Sequence, residues 1–479
     1  MKKLVIDLIN KLDRPDITFA DVRFTNTDTQ SIYFEKGNLK SFGSSYDANA
    51  IGIRVLIDGC WGFAGTTDLK KSVLEKTIKK AIDNAGHGSK FKKDKVEYKP
   101  IKPIQNSYIF KPKEDPFQID DQKKIKYFEK IAKKLTGEKE IIFSWLMSLF
   151  YRQYKIYANT EGTLVDTLLY DVVPKMQVLS SNGKENMRRT YPGDMNAKRG
   201  GFEKVREFEF EKNTEKIVAE AIQLLDAPRI EEEKADIIIG GSHLALQLHE
   251  SVGHATEADR IFGKEISYAG KTFIKPEMLG NFKYGSEIVN IFSDSTIKEG
   301  LGFHIVDDEG IPARRVDIIK DGILTDQQTS REVAQLLELQ PSSNMKASFA
   351  DDYPLIRMTN FCLAPQKGTL NDLIRDTEHG YLVDFTKTWS IDDNRNNFQF
   401  TTEIGWKIKN GEIHGIVKEP TYYGLTPEFW AACDRICGSE EWKMYGTFNC
   451  GKGEPGQAMH LSHGVAPARF KDITVNIKA

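Results

Sequence analysis

LQLHESVGHATEADRIF, residues 246–262, is the most informative stretch of this sequence. Within it, His249, Glu250 and His254 form the pattern H-E-S-V-G-H, in which two imidazoles flank a carboxylate. Zinc hydrolysis requires neutral imidazoles to hold the ion, an open position for water and a base beside that water. The familiar H-E-x-x-H pattern places its histidines four residues apart on one helix face. Here the two histidines are five apart.

This spacing does not suit a regular helix. Residues five apart on an α-helix point about 140° away from each other, so such a helix cannot aim both rings at one ion. Gly253, just before His254, permits either a helix end or a local π-turn, in which residues five apart eclipse. The alternative is a coincidence of two histidines near a glutamate, packed in the core or solvated. The spacing alone leaves both interpretations open.

Length and composition describe an ordinary globular protein. The chain has 479 residues, for which the usual domain size predicts about three domains. Hydrophobic residues make up 40% and charged residues 28%, and the formal net charge of −2 gives no reason to expect nucleic acid as a partner. The N-terminal apolar run is interrupted by a charge, and no apolar run approaches the ~20 residues that span a bilayer. We therefore expect neither a signal peptide nor a membrane segment.

The cysteines bear on both the compartment and the metal. Five cysteines are an odd, sparse set in so long a chain, which argues against a disulfide framework and makes the cytoplasm the expected location. A catalytic zinc site also needs a third protein ligand beside the two histidines. Cys450, in the glycine-rich segment NCGKGEPGQ, is a candidate, and a free buried cysteine is the alternative. His460 and His463 follow closely and are rival candidates.

Hydrophobic periodicity predicts two α+β domains before the histidine helix. Residues 1–90 combine helices with extended segments, and Asp58-Gly59 lies between two apolar runs, which is a strong hairpin signal. The lysine-rich segment 89–102 is predicted to be a solvated linker, with a nucleic-acid patch as the alternative. Residues 105–230 show a helix, an antiparallel meander and a closing helix.

The third predicted domain, residues 231–479, carries the metal-binding helix. A short buried strand at 237–239 leads through glycines into this helix. The pattern afterwards is mostly strand, with hairpin signals at Asp321-Gly322 and Asn410-Gly411. The predicted fold class is therefore α+β. Its N-terminal and central α+β domains have antiparallel sheets, and its C-terminal domain is mainly antiparallel β.

Several motifs resemble the TldD branch of the TldD/PmbA metalloprotease family. They are HESVGHATEAD (249–259), VDDEGIP (306–312), RMTN (357–360) and CGKGEPGQ (450–457). The stretch GIRVLIDGCWGFAGTTDL (52–69) resembles the first domain of that family as well. The resemblance covers nearly the whole chain, and its motifs occur in the family's order.

The resemblance implies a catalytic site and a partner. It implies that His249, His254 and Cys450 ligate zinc and that Glu250 is the general base of a metallopeptidase. It also implies an N-terminal, a central and a metallopeptidase domain. In that family TldD works as a dimer with the PmbA (TldE) branch, a related chain without the metal motif. We therefore expect a dimer, either with a PmbA/TldE-like chain or with a second copy of this chain.

Further side chains are candidates for supporting roles. Glu257 and Asp259 lie one to two turns beyond His254 and could accept the free ring N–H of a ligand histidine, with plain solvent exposure as the alternative. Arg357 is a candidate for binding a substrate carboxylate, with an ordinary salt bridge as the alternative. The expected substrates are small or unfolded peptides, because an extended chain can add to a strand edge without demanding a sequence. The competing function is a non-enzymatic subunit that captures peptides or partner proteins in the same groove.

Overall fold

The computed structural model, which describes residues 1–267 and 270–476, has the predicted α+β fold class. The strands of the first half are β1 (Phe19–Glu35), β2 (Asn38–Ile57), β3 (Cys60–Thr66), β4 (Gln105–Ile109), β5 (Ile141–Asn159), β6 (Leu164–Ser181), β7 (Asn186–Tyr191) and β8 (Lys198–Arg199). The helices of this half are α1 (Lys2–Asn10), α2 (Lys71–Gly88), α3 (Asp121–Lys134), α4 (Phe202–Glu207) and α5 (Phe210–Asp226).

One sheet joins the strands of the first half. Its order is β3-β2-β1-β5-β6-β4, and both β7 and β8 also pair with β6. All neighbours are antiparallel except β4 and β6. β1 and β5 pair along their length, from Asp21 opposite Asn159 to Glu35 opposite Trp145. Strands of both predicted α+β domains therefore lie in one sheet, and the boundaries at residues 90 and 105 stay a prediction.

The local turn signals of the sequence are confirmed. Each of the three predicted dipeptides connects two antiparallel strands, and all six residues have a positive φ between 47° and 80°. A two-residue hairpin turn of type I′ requires a positive φ at both residues, and this conformation matches the twist of the paired strands. The dipeptides are Asp58-Gly59, Asp321-Gly322 and Asn410-Gly411.

The second half contains most of the short strands. Its strands are β9 (Glu233–Ile239), β10 (Ile291–Asp294), β11 (Arg315–Lys320), β12 (Ile323–Leu324), β13 (Met345–Lys346), β14 (Leu355–Ile356), β15 (Phe361–Leu363), β16 (His379–Ile391), β17 (Asn397–Lys409), β18 (Glu412–Lys418), β19 (Thr421–Leu425), β20 (Cys433–Ile436), β21 (Lys443–Lys452), β22 (Gln457–Val465) and β23 (Ala468–Val475). Its α-helices are α6 (Gly241–Leu248), α7 (Ala258–Ile261), α8 (Arg331–Leu336), α9 (Leu370–Arg375) and α10 (Thr426–Ala431), and a 3-10 turn spans Pro276–Met278.

A seven-stranded sheet supports the histidine helix. Its order is β16-β9-β23-β19-β17-β18, with β20 paired to β23. β9 lies in its interior, parallel to β16 and antiparallel to β23, and leads through Gly240 directly into α6. Every residue of α6 is buried, so this helix is held on all sides. The separate β21–β22 hairpin carries Cys450.

Buried ion pairs connect the two halves of the chain. The Arg54 guanidinium on β2 lies 2.7 Å from an oxygen of Asp21 and 3.3 Å from an oxygen of Glu309. All three side chains are buried, and the pair between Arg54 and Glu309 forms only while the two halves are in contact. Over the described residues, no helix combines the length and the apolar character needed to cross a membrane.

Candidate metal centre

The helix that carries His249 changes its period at that residue. α6 ends at Leu248, and His249–Gly253 forms a π-helical turn that closes with a hydrogen bond from His254 N to His249 O of 3.0 Å. Because a π-turn brings residues five apart onto one face, the two imidazole centroids are only 4.6 Å apart. A Cβ at Gly253 would lie 2.1 Å from Sδ of Met358, so any larger residue here would displace that buried side chain. The π-turn is therefore the alternative that the chain adopts.

Cys450 lies opposite both rings. Its Sγ is 3.3 Å from Nε2 of His249 and 3.6 Å from Nε2 of His254. The three side chains are buried, and their ligand atoms lie within 4.8 Å of one another. Arg357 donates to the carbonyl oxygens of Cys450 and Gln457, and thereby holds the two strands of the hairpin around the cysteine.

Hydrogen bonds determine which nitrogen of His249 faces the sulfur. Nδ1 of His463 donates to the carbonyl of Phe361 at 2.9 Å, because a carbonyl can only accept. Nε2 of His463 is then an acceptor, and it receives the proton on Nδ1 of His249 at 2.8 Å. The lone pair of His249 therefore lies on Nε2, the atom that faces Cys450.

Glu257 has the same effect on the second histidine. Its Oε2 accepts from Nδ1 of His254 at 3.1 Å and also contacts Arg260 and Lys452. Burial opposes ionisation of Glu257, but Lys452, Arg260 and His254 together hold the pKa of its carboxyl well below the usual range. An ionised carboxylate can only accept, so Nε2 of His254 carries the free lone pair.

Electrostatics favour the protonation states that a metal needs. Burial lowers the pKa of His249 to about 4, so its ring is neutral. Burial would raise the pKa of the Cys450 thiol, but the Arg357 guanidinium and the His254 ring outweigh it, and the net shift is downward. Two imidazoles and an acidified thiol are the donor set of a catalytic zinc site with one position left open. These residues fit the metal.

Glu250 lies beside these three residues in a cavity of about 870 Å³. Its carboxylate pairs with Arg395 at the tip of the β16–β17 hairpin. Burial opposes ionisation of Glu250, but His249, His254 and Arg395 lower the pKa of its carboxyl below the ordinary value. Strands from both halves of the chain line the cavity. Their lining residues include Trp145, Met147, Val173, Lys175, Phe448 and Asn449.

Two of the predicted supporting residues, Asp259 and Arg357, form no hydrogen bond with His249 or His254 among the described residues. The Asp259 carboxylate pairs with Lys452 at 2.8 Å and does not reach a histidine. Arg357 is completely buried and its guanidinium contacts backbone carbonyls of the hairpin. Sequence reasoning missed the contact of Arg395 with Glu250, and treated His463 as a rival ligand when it is a hydrogen-bond partner of His249. His460 faces a different cavity.

Comparisons with known families agree with this geometry. Residues 232–476, more than half of the chain, match the family model described as the PmbA/TldA metallopeptidase C-terminal domain. Residues 20–85 match the model for PmbA/TldA metallopeptidase domain 1. The chain belongs to the PmbA/TldD metallopeptidase family. This result confirms the resemblance that the sequence motifs showed.

Members of the PmbA/TldD family with similar sequences are named metalloproteases. A metalloprotease of Methanothermobacter thermautotrophicus is 27% identical over 461 residues, which cover 96% of this chain and 95% of that protein. A metalloprotease TldD homolog of Buchnera aphidicola is 25% identical over 480 residues, covering 98% and 94% of the two chains. The structure of TldE from Thermococcus kodakarensis has the same fold, with a TM-score of 0.73 at 15% identity over 99% of this chain and 100% of that one.

Proposed function

We propose that this protein is a zinc-dependent metallopeptidase that hydrolyses peptide bonds in small or unfolded peptides. The observation that carries the proposal is the convergence of His249, His254 and Cys450 beside Glu250 in one large cavity. Similar proteins named metalloproteases support this assignment. The family membership supports it as well.

His249, His254 and Cys450 would hold the metal. When bound, zinc supplies Lewis acidity, which lowers the pKa of water and stabilises negative charge on a carbonyl oxygen. Glu250 is the residue for proton transfer: its carboxylate accepts a proton from the attacking water and passes it to the leaving amine. His463 and Glu257 keep the two histidines in the tautomer that presents Nε2 to the ion.

An exposed strand edge supports extended peptides as substrates. Residues 447–451 of β21 line the cavity. β21 pairs with β22 on one side, whereas on the other side, within the described residues, only Gly446 forms a bridge, to Ala197. Arg357 occupies the carbonyl of Cys450, and the other main-chain groups along this edge would hold an extended peptide through its backbone, whatever its sequence.

The proposed location of the protein is the cytoplasm, and its proposed assembly is a dimer. All five cysteines are free, as expected in a reducing cytoplasm. The likeness in fold to TldE supports a dimer with a PmbA/TldE-like chain, or with a second copy of this chain. Size-exclusion chromatography with light scattering, on the chain alone and mixed with such a partner, would distinguish these two assemblies.

The substitution Glu250→Gln tests the function. We expect the variant to retain zinc, measured by plasma mass spectrometry, and to lose cleavage of an unfolded peptide by at least a hundredfold, because it lacks the base. Glu287→Gln, at an exposed glutamate, is the matched control. Retained turnover would remove Glu250 from this role. A zinc-loaded wild-type protein that binds peptides and cleaves none would instead be the non-enzymatic subunit.

A further inference from the structure

A second cavity of about 460 Å³ lies beside the metal cavity. The two cavities share Phe448 as a lining residue. Many of its walls are apolar or aromatic, and those side chains include Tyr151, Tyr157, Val165, Leu169, Phe303, Phe349 and Met459. None of the proposed metal ligands lines it.

The floor of both cavities is one face of the β5–β6 pair. Trp145 and Met147 of β5 line the metal cavity, and alternate residues further along the same strand, from Tyr151 to Tyr157, line the second cavity. Alternate residues of a strand point to one face, so these side chains form a continuous row. The opposing residues of β6 follow the same order, with Lys175 opposite Met147 and in the metal cavity. The two cavities therefore lie along one strand row, separated at Leu149, and a peptide that follows this row would pass from one cavity to the other.

The span between the cavities is short. Four residue steps separate Met147 from Tyr151 along β5, which corresponds to about 14 Å of extended strand. An extended peptide covers that distance with about four residues. Leu149, between them on the same row, and Phe448 both pack against the cluster of Val173, Ala197 and Leu301. These apolar side chains form the boundary that such a peptide would cross.

Lys346 gives the second cavity an unusual charge. Its ammonium contacts the carbonyl of His460 at 3.3 Å, and it forms no ion pair with any carboxylate of the described residues. Its neighbour Lys155 is already paired with Asp308. Burial, followed by repulsion from Lys155, lowers the pKa of Lys346 to about 7. The side chain is half-buried and Asp308 acts on its ammonium only from beyond ion-pair distance, so an incoming carboxylate would offset the cost of its desolvation.

The carboxylates that line this cavity have other partners. Asp171 lies 2.6 Å from Arg199 and 2.8 Å from Nδ1 of His460, whose ring packs against Tyr151. Asp352 accepts from the backbone N–H of Phe349 at 3.2 Å. Among the described residues that line this mixed apolar and polar cavity, Lys346 is thus the cation that no carboxylate pairs, and this arrangement suits a ligand with an apolar body and one carboxylate.

We propose that the second cavity binds the C-terminal carboxylate of a peptide whose preceding residues lie in the metal cavity, with Lys346 as the counter-ion. This inference rests on the proposed function, because it makes the second cavity an extension of the substrate cleft. It names the preferred substrate class: short peptides with a free carboxyl end. A small organic acid has the same chemistry and is the competing source of the carboxylate.

Calorimetric titration of the zinc-loaded Glu250→Gln protein tests the inference without turnover. The probes are an N-acetylated hexapeptide acid, the same hexapeptide as its C-terminal amide, and 3-phenylpropionate as a small acid. We expect the hexapeptide acid to bind at least tenfold more tightly than the amide. In a Lys346→Met background the acid and amide should bind within twofold of each other. Lys346→Arg, which keeps the charge, and Lys298→Met, at an exposed lysine lining neither cavity, should both retain the preference.

Each outcome decides one part of the inference. Equal affinity for acid and amide in the protein that retains Lys346 would overturn it, whatever the folding of the Met variant. Binding of 3-phenylpropionate that depends on Lys346, without a preference for the hexapeptide acid, would overturn it in favour of a small-acid site. A clear acid preference in a protein whose wild-type form cleaves no peptide would support this inference while the peptidase proposal fails.

Discussion

Nδ1 of His249 lies 2.8 Å from Nε2 of His463, and this contact joins a residue of the last β-hairpin to the metal centre. The geometry predicts that His463→Phe lowers zinc affinity by about 10- to 100-fold, the usual effect of losing a partner that orients a ligand histidine. Competition with a chromophoric chelator measures the affinity. His460→Phe is the control, since that histidine faces the second cavity. Unchanged affinity in His463→Phe would show that His249 needs no such partner.

The thiolate of Cys450 is predicted to be needed for stable metal binding. Cys450→Ala should reduce the zinc content of the purified protein well below one ion per chain, because two histidines alone hold zinc poorly. Cys362→Ala is the matched control. Cys362 is also buried, but burial raises the pKa of its thiol to about 12, so the thiol stays protonated, and Cys362 is not part of the candidate metal cluster. A fully metallated Cys450→Ala protein would remove Cys450 from the set of metal ligands.

The π-turn depends on the small size of Gly253. We expect Gly253→Ala to lower the free energy of unfolding by about 1–3 kcal/mol, because the new Cβ would overlap Sδ of the buried Met358. Denaturant titration measures this cost. In a Met358→Ala background, the same substitution should cost clearly less, since the overlapping atom is gone. An equal cost in both backgrounds would mean that the backbone of the turn, and not this contact, requires glycine.

The buried ring of His243 is expected to make the folded protein less stable in mild acid. Its ring is buried, bonded to Thr386 at 2.7 Å and to Tyr422 at 2.9 Å, and burial lowers its pKa to about 3. The unfolded chain keeps the ordinary value near 6.5 and binds the proton first, so stability falls as the pH drops from 6.5 towards 3. This one group contributes a slope of up to about 1.4 kcal/mol per pH unit.

The variant His243→Gln isolates that contribution. Thermal unfolding of both proteins between pH 7 and pH 4.5, with a chelator present so that acid release of metal does not contribute, gives the two slopes. The variant should show the shallower dependence on pH. Parallel slopes would mean that His243 keeps a nearly ordinary pKa in the folded protein.

Local signals in the sequence predicted local structure correctly. Asp58-Gly59 forms a hairpin turn, and this turn depends only on the backbone conformations of those two residues. The five-residue spacing with Gly253 predicted a helix end or a π-turn, and the chain forms the π-turn. The pairing of β1 with β5 could not be predicted in the same way. It joins Asp21 to Asn159 across a long intervening segment, and nothing near either residue specifies the partner.

The candidate site shows the same limit. A motif identified His249 and His254 as neighbours, but the role of His463 depends on which ring nitrogen faces the sulfur, and only three-dimensional geometry decides that. Arg395 reaches Glu250 from the tip of a distant hairpin, and its sequence context, DDNRN, is typical of any polar turn. Nothing in the sequence around Lys346 predicted a binding role, because its lack of a paired carboxylate is a property of the folded cavity.

The position of Cys450 has a consequence for biosynthesis. On the ribosome this cysteine emerges 201 residues after His249, and β23, which flanks β9 in the interior of the sheet, emerges later still. A nascent chain therefore contains His249, His254 and Glu250 before Cys450 and β23 have been synthesised. The three candidate ligands can therefore meet only after the segment with Cys450 has been synthesised, and the sheet beneath α6 is completed later still, by β23.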